Sequence, residues 1–490
     1  MKLILALLLT GPASGAPKPF PGENCVRCHA ALRDKVPGPA ASKAPTDAGT
    51  YDAVIIGGGL SGLSAGHFLK KRKLLILEAE SKPGGRARRE SFGANRKYPT
   101  GAVYTSEPYG AIKTLYDDLG LKSKVITMTA HSLYSQGKVF EHWLRADGNG
   151  LPENSFTPED RAAYKRLSAK MKELVETHAL TIPIEEAPKS ALDEYDSISF
   201  WDYLEKNYGK RLAEVGDIYA RDVFGDGARE VSAYAGLTYL AVEQDVSKTW
   251  EGGMGEIPEA LHRELGKSVR TGALVWKVAQ DAEGVDVFYS KDGKDFKARG
   301  KTAVMAVSSL VARRIVAGLP EDKLKAMAQT RYSSYALVPL KLKKVVWADS
   351  FVLWMRDAFV TDFTLPRADN ASLKAHPEKG QVLVGYAPMG GAAGRKYLLA
   401  APDEELKSRA IADLERAFPG ASSQVEEARV IRWGHAMPLA FPGYLAQVRP
   451  IIARPEGRIF FAGTDTQLPA MEGAIYSGFY AAEKASALLK

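Results

Sequence analysis

An apolar run from Ala53 to Ile56 stops at a cluster of glycines. A stretch of helical character follows, and then a second apolar run from Leu74 to Leu77. Short continuous apolar runs bounded by turn residues predict buried strands, so this stretch predicts strand, turn, helix, strand. Far downstream, Leu406, Ala410, Leu414 and Phe418 recur at helical spacing and end at Pro419-Gly420, which predicts a helix over Pro402 to Phe418. The closing stretch places Gly473, Ala474, Ser477 and Gly478 so that a last helix would carry a face of small side chains. The segment KVPGPAASKAPTDAG has no apolar period and reads as a linker rich in Pro and Ala. No repeat of solenoid type is present.

The first sixteen residues, MKLILALLLTGPASGA, combine Lys2, an apolar run from Leu3 to Leu9 and small residues at Ser14 and Ala16, the pattern of a signal peptide over 1–16. The run is far shorter than the ~20 residues a spanning helix needs, and no later stretch reaches that length. The expectation is a periplasmic or secreted protein with no stable membrane span. No twin arginine precedes the run, so export before folding is expected, with any flavin inserted afterwards. Composition fits a soluble chain with room for more than one core, since 490 residues are 45% hydrophobic and 25% charged. The charge of +8 arises from 66 basic and 58 acidic residues without a long basic run, which gives no support for nucleic-acid binding.

Both cysteines fall in Cys25-Val26-Arg27-Cys28-His29, the Cys-x-x-Cys-His signature of c-type haem attachment. Cys25 and Cys28 would form thioethers to one porphyrin edge, and His29 would bind the iron. A Cys25 to Cys28 disulfide and a partial zinc site are the other readings of the same residues. Residues 17–50 fall below the ~40 residues that a core of its own usually needs, so a haem there would pack on the body or stay open on one face. A sixth ligand would come from a methionine or from His67, His131, His142, His178, His262, His376 or His435.

The glycines after Ile56 are Gly57, Gly59 and Gly62, in the order G-x-G-x-x-G. Gly57 permits the tight turn, Gly59 lets the backbone approach a pyrophosphate, and Gly62 lets helix and strand pack closely. The positive end of the helix faces the phosphates. Glu78 ends the second strand, placed to bind the adenosine ribose hydroxyls and to repel a 2'-phosphate. The expected ligand is an adenine dinucleotide.

SKPGGRARRESFGANRKYPTGAVY, just after Glu78, resembles the flavin amine oxidase superfamily, where a Gly-Gly-Arg turn carries an arginine to the FAD pyrophosphate region. Here that turn is Gly84-Gly85-Arg86. RIFFAGTDTQLPAMEGAIYSGFYAAEKASALL resembles the closing motif of the same family. It has Gly463 at the end of a strand, Asp465 near the ribityl chain, and a helix opening around Glu472-Gly473-Ala474. TWEGGMGEIPEALHRELG and the strand Val275 to Val278 are similar to its intervening blocks. The resemblance implies a fold of α/β and α+β type, with a discontinuous Rossmann-like FAD-binding domain over 51–105, 245–312 and 430–490. It implies an inserted substrate domain over 106–244 and 313–429. FAD and a small-molecule substrate follow from it.

Amine-oxidising members of that family commonly present a lysine to the flavin N5 and sandwich the amine between two rings. The lysine place falls here at about Leu337, with Lys341 and Lys343 displaced, and the ring places at Ala436 and Ala470. His435 stands near the ring by the same resemblance, as a covalent link to FAD, a general base, a haem ligand or a plain hydrogen-bonding residue. The expected activity is oxidation of an amine or related CH-X bond by hydride transfer to flavin. Flavin takes two electrons together and returns them singly, so the haem would be an electron outlet, and a periplasmic acceptor could follow it. Carbon-carbon desaturation and a carrier that has lost catalysis are the alternatives.

Overall fold

A computed structural model describes residues 44–121, 124–126, 131–243, 247–250, 252–366 and 370–489. The leader, Cys25, Cys28 and His29 lie outside these residues. The fold is mixed α/β, built on two large sheets.

Ala53, Val54, Ile55 and Ile56 are at most 2% exposed, because the strand Thr46–Ile56 runs in the interior of the first sheet. A strand covered on both faces has no polar side to alternate with, which is why the sequence there is a continuous apolar run. The order across this sheet is Leu274–Gln280, Val285–Lys291, Lys294–Met305, Thr46–Ile56, Leu74–Leu77 and Val269–Arg270. Lys294–Met305 lies parallel to Thr46–Ile56 and antiparallel to Val285–Lys291. Its last residues, Ala303 to Met305, also pair in parallel with Ile459–Phe461 from near the end of the chain.

The turn after Ile56 brings Gly57, at φ +106, against the next strand, and the helix Leu60–Phe68 starts from Gly59. The last helix, Met471–Leu488, packs on Leu60–Phe68 through its small residues. A Cβ at Gly478 would come within 2.4 Å of the Ser61 carbonyl oxygen. The two backbones meet at a distance only glycine permits.

The second sheet runs Val425–Ala428, Tyr335–Leu342, Gln381–Pro388, Asp362–Thr364, Val352–Met355, His131–Ser135 and Lys138–Phe140. Alternation sorts its residues cleanly. Ala336, Val338, Leu353, Phe363 and Leu383 form one core with Leu398, Leu406, Ala410 and Leu414, which lie on the helices Gly391–Ala400 and Asp403–Ala417. The opposite face carries Tyr335, Leu337, Val384 and Trp433, and it turns toward the first sheet's glycine loop. The helix expected over Pro402 to Phe418 spans Asp403–Ala417.

Residues 430–490 do not all belong with the first sheet. Ile431–Trp433 pairs antiparallel with Tyr335–Leu342 and so extends the second, because Ile431 and Trp433 complete that sheet's inward apolar face. Helices Pro158–Glu176, Lys189–Tyr195, Phe200–Tyr208, Lys210–Phe224 and Ala233–Glu243 share a core with the first sheet. The first of them is held at its start by a capping box, in which the Asp160 N–H donates to Thr157 Oγ1 at 3.2 Å and the Thr157 N–H to Asp160 Oδ2 at 2.9 Å. Lys210–Phe224 stops at Gly225, in the left-handed conformation. Its last turn carries Asp222.

A fully buried cation ties the chain near Ile459–Phe461 to the body. Lys323 Nζ donates to the carbonyls of Ile451 at 2.8 Å, Ile452 at 3.1 Å and Arg454. These are carbonyls at the end of the short helix Arg449–Ala453, which have no partner within the helix. Lys323→Met keeps the length but strands those oxygens, and is expected to cost about 3 kcal/mol. The denaturant midpoint checks this, and a midpoint equal to that of the parent would contradict it.

Candidate functional site

The glycine loop, the Gly-Gly-Arg turn and the start of the last helix surround one cavity of about 560 Å³. Its far wall is the inward face of the second sheet. At its near end lie Gly57 and Gly59. A Cβ on Gly57 would come within 2.4 Å of the Ala306 carbonyl oxygen, whereas one on Gly59 would meet nothing within 4 Å. Gly57 is therefore glycine for the turn and Gly59 leaves an open cradle above a helix N-terminus, where backbone N–H groups suit a phosphate. Gly62 lies off the lining and serves packing, since a Cβ there would sit 1.9 Å from the Gly57 carbonyl oxygen.

Glu78 lines the same end. It accepts hydrogen bonds from the backbone N–H of Gly58 at 2.7 Å, through Oε2, and of Glu80 at 2.7 Å, through Oε1. Burial pushes its pKa up, opposed by these two donors. The carboxylate is thereby fixed at the strand end, where its position suits a pair of ribose hydroxyls.

Gly84 at φ +113 and Gly85 at φ +53 turn the chain sharply and deliver Arg86 into the interior. Its Nη1 donates to the Ala436 carbonyl and its Nη2 to Thr464 Oγ1 at 3.1 Å. Burial lowers its pKa while nearby Asp465 supports the charge. Asp465 Oδ2 accepts the Ser309 N–H at 2.6 Å and the Tyr332 hydroxyl. Gly463 donates its N–H to Ser477 Oγ at 2.9 Å, which locks the strand end to the last helix. At the helix start, Glu472 Oε1 accepts Thr105 Oγ1, Ser106 N and Ser106 Oγ, each at 2.8 Å. Ala474 lines the cavity, while Gly473 lies behind it, where a Cβ would sit 2.0 Å from the Leu468 carbonyl oxygen. Val278 is buried off the lining, bridged to Val316.

The structure therefore brings Gly57, Gly59, Glu78, Gly85, Arg86, Gly463, Asp465 and Ala474 to one cavity, with Gly62, Val278 and Gly473 bracing it. His435 is not brought there. Its ring stands edge-on to Tyr332 at 5.4 Å and its Nδ1 lies 3.4 Å from Arg395 Nη2, while the neighbouring Ala436 takes the place on the lining. The roles of covalent flavin link and general base therefore have no geometric support. Of the histidines considered for the iron, buried His67 holds Glu264 at 2.6 Å and His131 accepts from Trp354 Nε1 at 3.0 Å.

The far end of the cavity contains residues the sequence did not single out. Leu337 lines it, so no lysine stands at that place. Lys341 is instead ion-paired with Glu426 at 2.7 Å. Ala436 and Ala470 line the cavity as well, but Trp433, Tyr386, Tyr335 and Trp354 supply rings from other strands. Among them lie Asp362 and Asp222, joined by a hydrogen bond. Burial and the second carboxyl push the pKa of Asp362 well up. The one available sequence signal was inverted: Asp362, Phe363 and Thr364 alternate like a solvent-facing strand, but the polar side faces the cavity.

The profile of the family described as flavin containing amine oxidoreductase matches residues 60–486. The chain is 27% identical over 321 residues to an L-amino-acid oxidase of Daboia russelii, a match spanning 60% of each protein. It is 25% identical over 468 residues to a probable flavin-containing monoamine oxidase A of Dictyostelium discoideum, covering 88% of this chain and 96% of the other. Among solved structures, cyclohexylamine oxidase of Brevibacterium oxydans superimposes with a TM-score of 0.70 at 21% identity, covering 89% of this chain and 99% of that one. Putrescine oxidase bound to putrescine gives a TM-score of 0.70 at 20% identity, with coverage of 89% and 99%. These structural likenesses concern the fold.

Proposed function

We propose, for a chain that belongs to the flavin-containing amine oxidoreductase family, an exported FAD-dependent oxidoreductase that oxidises an amine and passes its electrons to a covalently attached haem. Dependence on FAD and an oxidoreductase activity come with the family. The amine, the export and the haem are this reading's own. The observation that carries the amine is the single cavity that joins the dinucleotide cradle at Gly59 and Arg86 to an aromatic chamber holding Asp362 and Asp222.

The residues fit the cofactor. Gly59 leaves room for a diphosphate, Arg86 brings a buried cation beside it, Glu78 closes the ribose end, and the start of Met471–Leu488 borders the cavity with Met471 and Ala474. When bound, FAD supplies acceptance of a hydride from a substrate carbon. The chain's own part is to exclude water and orient the substrate. Leu337, Val352 and the four rings line an apolar chamber, and the acid pair favours a cationic over a neutral hydrocarbon guest. That weighs against desaturation. Thr105, Ser106 and Glu472 lock the helix start so that its free N–H groups keep their aim.

Cys25, Cys28 and His29 would hold the haem, which accepts electrons one at a time. The signal-peptide pattern of residues 1–16 supports attachment outside the cytoplasm. Among the described residues no helix is long and apolar enough to cross a membrane.

Protein made in a host able to attach haem is expected to show both a flavin band and a Soret band. Under anaerobic conditions an amine is expected to bleach the first and then convert the second to the ferrous form. A preparation with no porphyrin absorbance would remove the outlet, and a flavin left oxidised by a broad amine panel would remove the reaction.

A further inference from the structure

Asp465 lines the cavity and is 4% exposed. A buried carboxyl keeps its orientation only where donors hold it. Among the described residues its two donors, the Ser309 N–H at 2.6 Å and the Tyr332 hydroxyl, both engage Oδ2. The Tyr444 hydroxyl holds the Asp465 carbonyl at 2.7 Å, so the backbone is fixed as well. Glu78 shows the contrasting arrangement, with one donor on each carboxyl oxygen. With Oδ2 engaged by the wall, Oδ1 is the oxygen of Asp465 that is left to accept from a guest in the cavity.

Tyr332 is half-buried and stands behind the lining, on a stretch whose backbone is pinned. Ser333 donates its N–H to the Met437 carbonyl at 2.9 Å and accepts the Ala436 N–H at 2.9 Å, and the Leu439 N–H donates to the Arg331 carbonyl at 2.8 Å. This short ladder leads into the strand Tyr335–Leu342. His435 braces the phenol ring edge-on, with 5.4 Å between ring centers. A ring held in this way has little rotamer freedom left to lose, so its hydroxyl can fix a neighbour at small entropic cost. The same segment also supplies the Ala436 carbonyl that receives Arg86 Nη1. Residues 436–439 therefore set both the arginine on the lining and the tyrosine that aims Asp465.

We infer that Tyr332 is a positioning residue for the cofactor, acting through Asp465 so that Oδ1 accepts a hydroxyl of the polyol chain between the flavin ring and the diphosphate. This rests on the FAD of the reading above and on neither its amine nor its haem. Gly59 and Arg86 would hold the diphosphate, and the acid would fix the chain that leads from it to the ring. Without the phenol hydroxyl, Oδ2 keeps a single donor and the carboxyl is free to turn. The fold keeps its ladder and its ring contact, and only the guest loses a partner.

Tyr332→Phe removes one oxygen and leaves the ring against His435. Protein stripped of FAD and titrated with it, followed by flavin fluorescence, is expected to bind about tenfold more weakly in this variant than in the parent. The melting temperature of the stripped protein is expected to stay close to that of the parent. In an Asp465→Ala background the same substitution is expected to change FAD affinity by less than about twofold, because the group through which it acts is gone. A tyrosine that served packing alone would carry an equal loss into both backgrounds. That result, or FAD affinity unchanged in Tyr332→Phe, would overturn the inference. Tyr332→Met, which also lacks a hydroxyl, runs the same cycle if the phenylalanine variant fails to fold. A parent chain that takes up no FAD would overturn the cofactor and this role together. Substrate and haem play no part in the measurement, so the loss of either leaves the role of Tyr332 standing.

Discussion

Arg86→Ala is expected to purify as folded protein nearly free of FAD and to bind added FAD at least about 100-fold more weakly than the parent. The side chain is a buried fork on a turn that only Gly84 and Gly85 can make, aimed at the cavity between the glycine loop and the last helix. Its two donors engage the Ala436 carbonyl and Thr464 Oγ1, neither of which carries a formal charge. The guanidinium is therefore held in position without being neutralised at close range, and Asp465 offsets its burial only from farther off. A diphosphate completes that arrangement with charge-assisted bonds worth about 1.5 to 3 kcal/mol each, and the loss of one or two accounts for the factor given. Arg86→Lys keeps a charge but not the fork, and an intermediate affinity is expected. Flavin released per chain on denaturation gives the occupancy. Stoichiometric FAD in the alanine variant would remove Arg86 from the cofactor site.

Replacing Gly62 by valine is expected to prevent accumulation of folded protein, at a cost of about 4 kcal/mol or more. A Cβ there would sit 1.9 Å from the Gly57 carbonyl oxygen and 3.1 Å from Ala306 Cβ, and the nearer contact is rigid backbone. Helix and strand would have to separate at the center of the first sheet. Gly59→Ala provides the contrast. Its backbone, at φ −71 and ψ 179, accepts any residue, and the added methyl meets no protein atom within 4 Å. That variant is expected to melt close to the parent and yet to bind FAD more weakly, because the methyl occupies the cradle. If Gly59→Ala held FAD as the parent does, the phosphates would not lie there.

These two glycines also show what was legible in the sequence. A turn and a close approach are decided within a few residues, so Gly57, Gly59, Gly62 and Glu78 announce the cradle locally, and Gly84-Gly85-Arg86 does the same for the buried cation. The chamber is another matter. Asp362 owes its neighbours to strand register, with Tyr386 on one side and Trp354 on the other, and Asp222 reaches it from the end of a helix far upstream. Register depends on pairing partners distant in the chain, which a local pattern does not carry. Tyr335–Leu342 is buried on both faces, so its apolar sequence could not show which side met the ligand. The same blindness explains His435. The resemblance located the segment, but the direction of each side chain is a matter of packing, and Ala436 proved to be the one facing inward.

The strand Lys294–Met305 pairs with Thr46–Ile56 on one side and with Ile459–Phe461 on the other, and the final helix lies across Leu60–Phe68. A ribosome must therefore release nearly the whole polypeptide before the nucleotide cradle can close. Nascent chains halted anywhere before about Phe461 would lack a side of that sheet and the helix that borders the cavity, so no truncated product is expected to hold the vitamin-derived group. Loading is thus confined to finished chains.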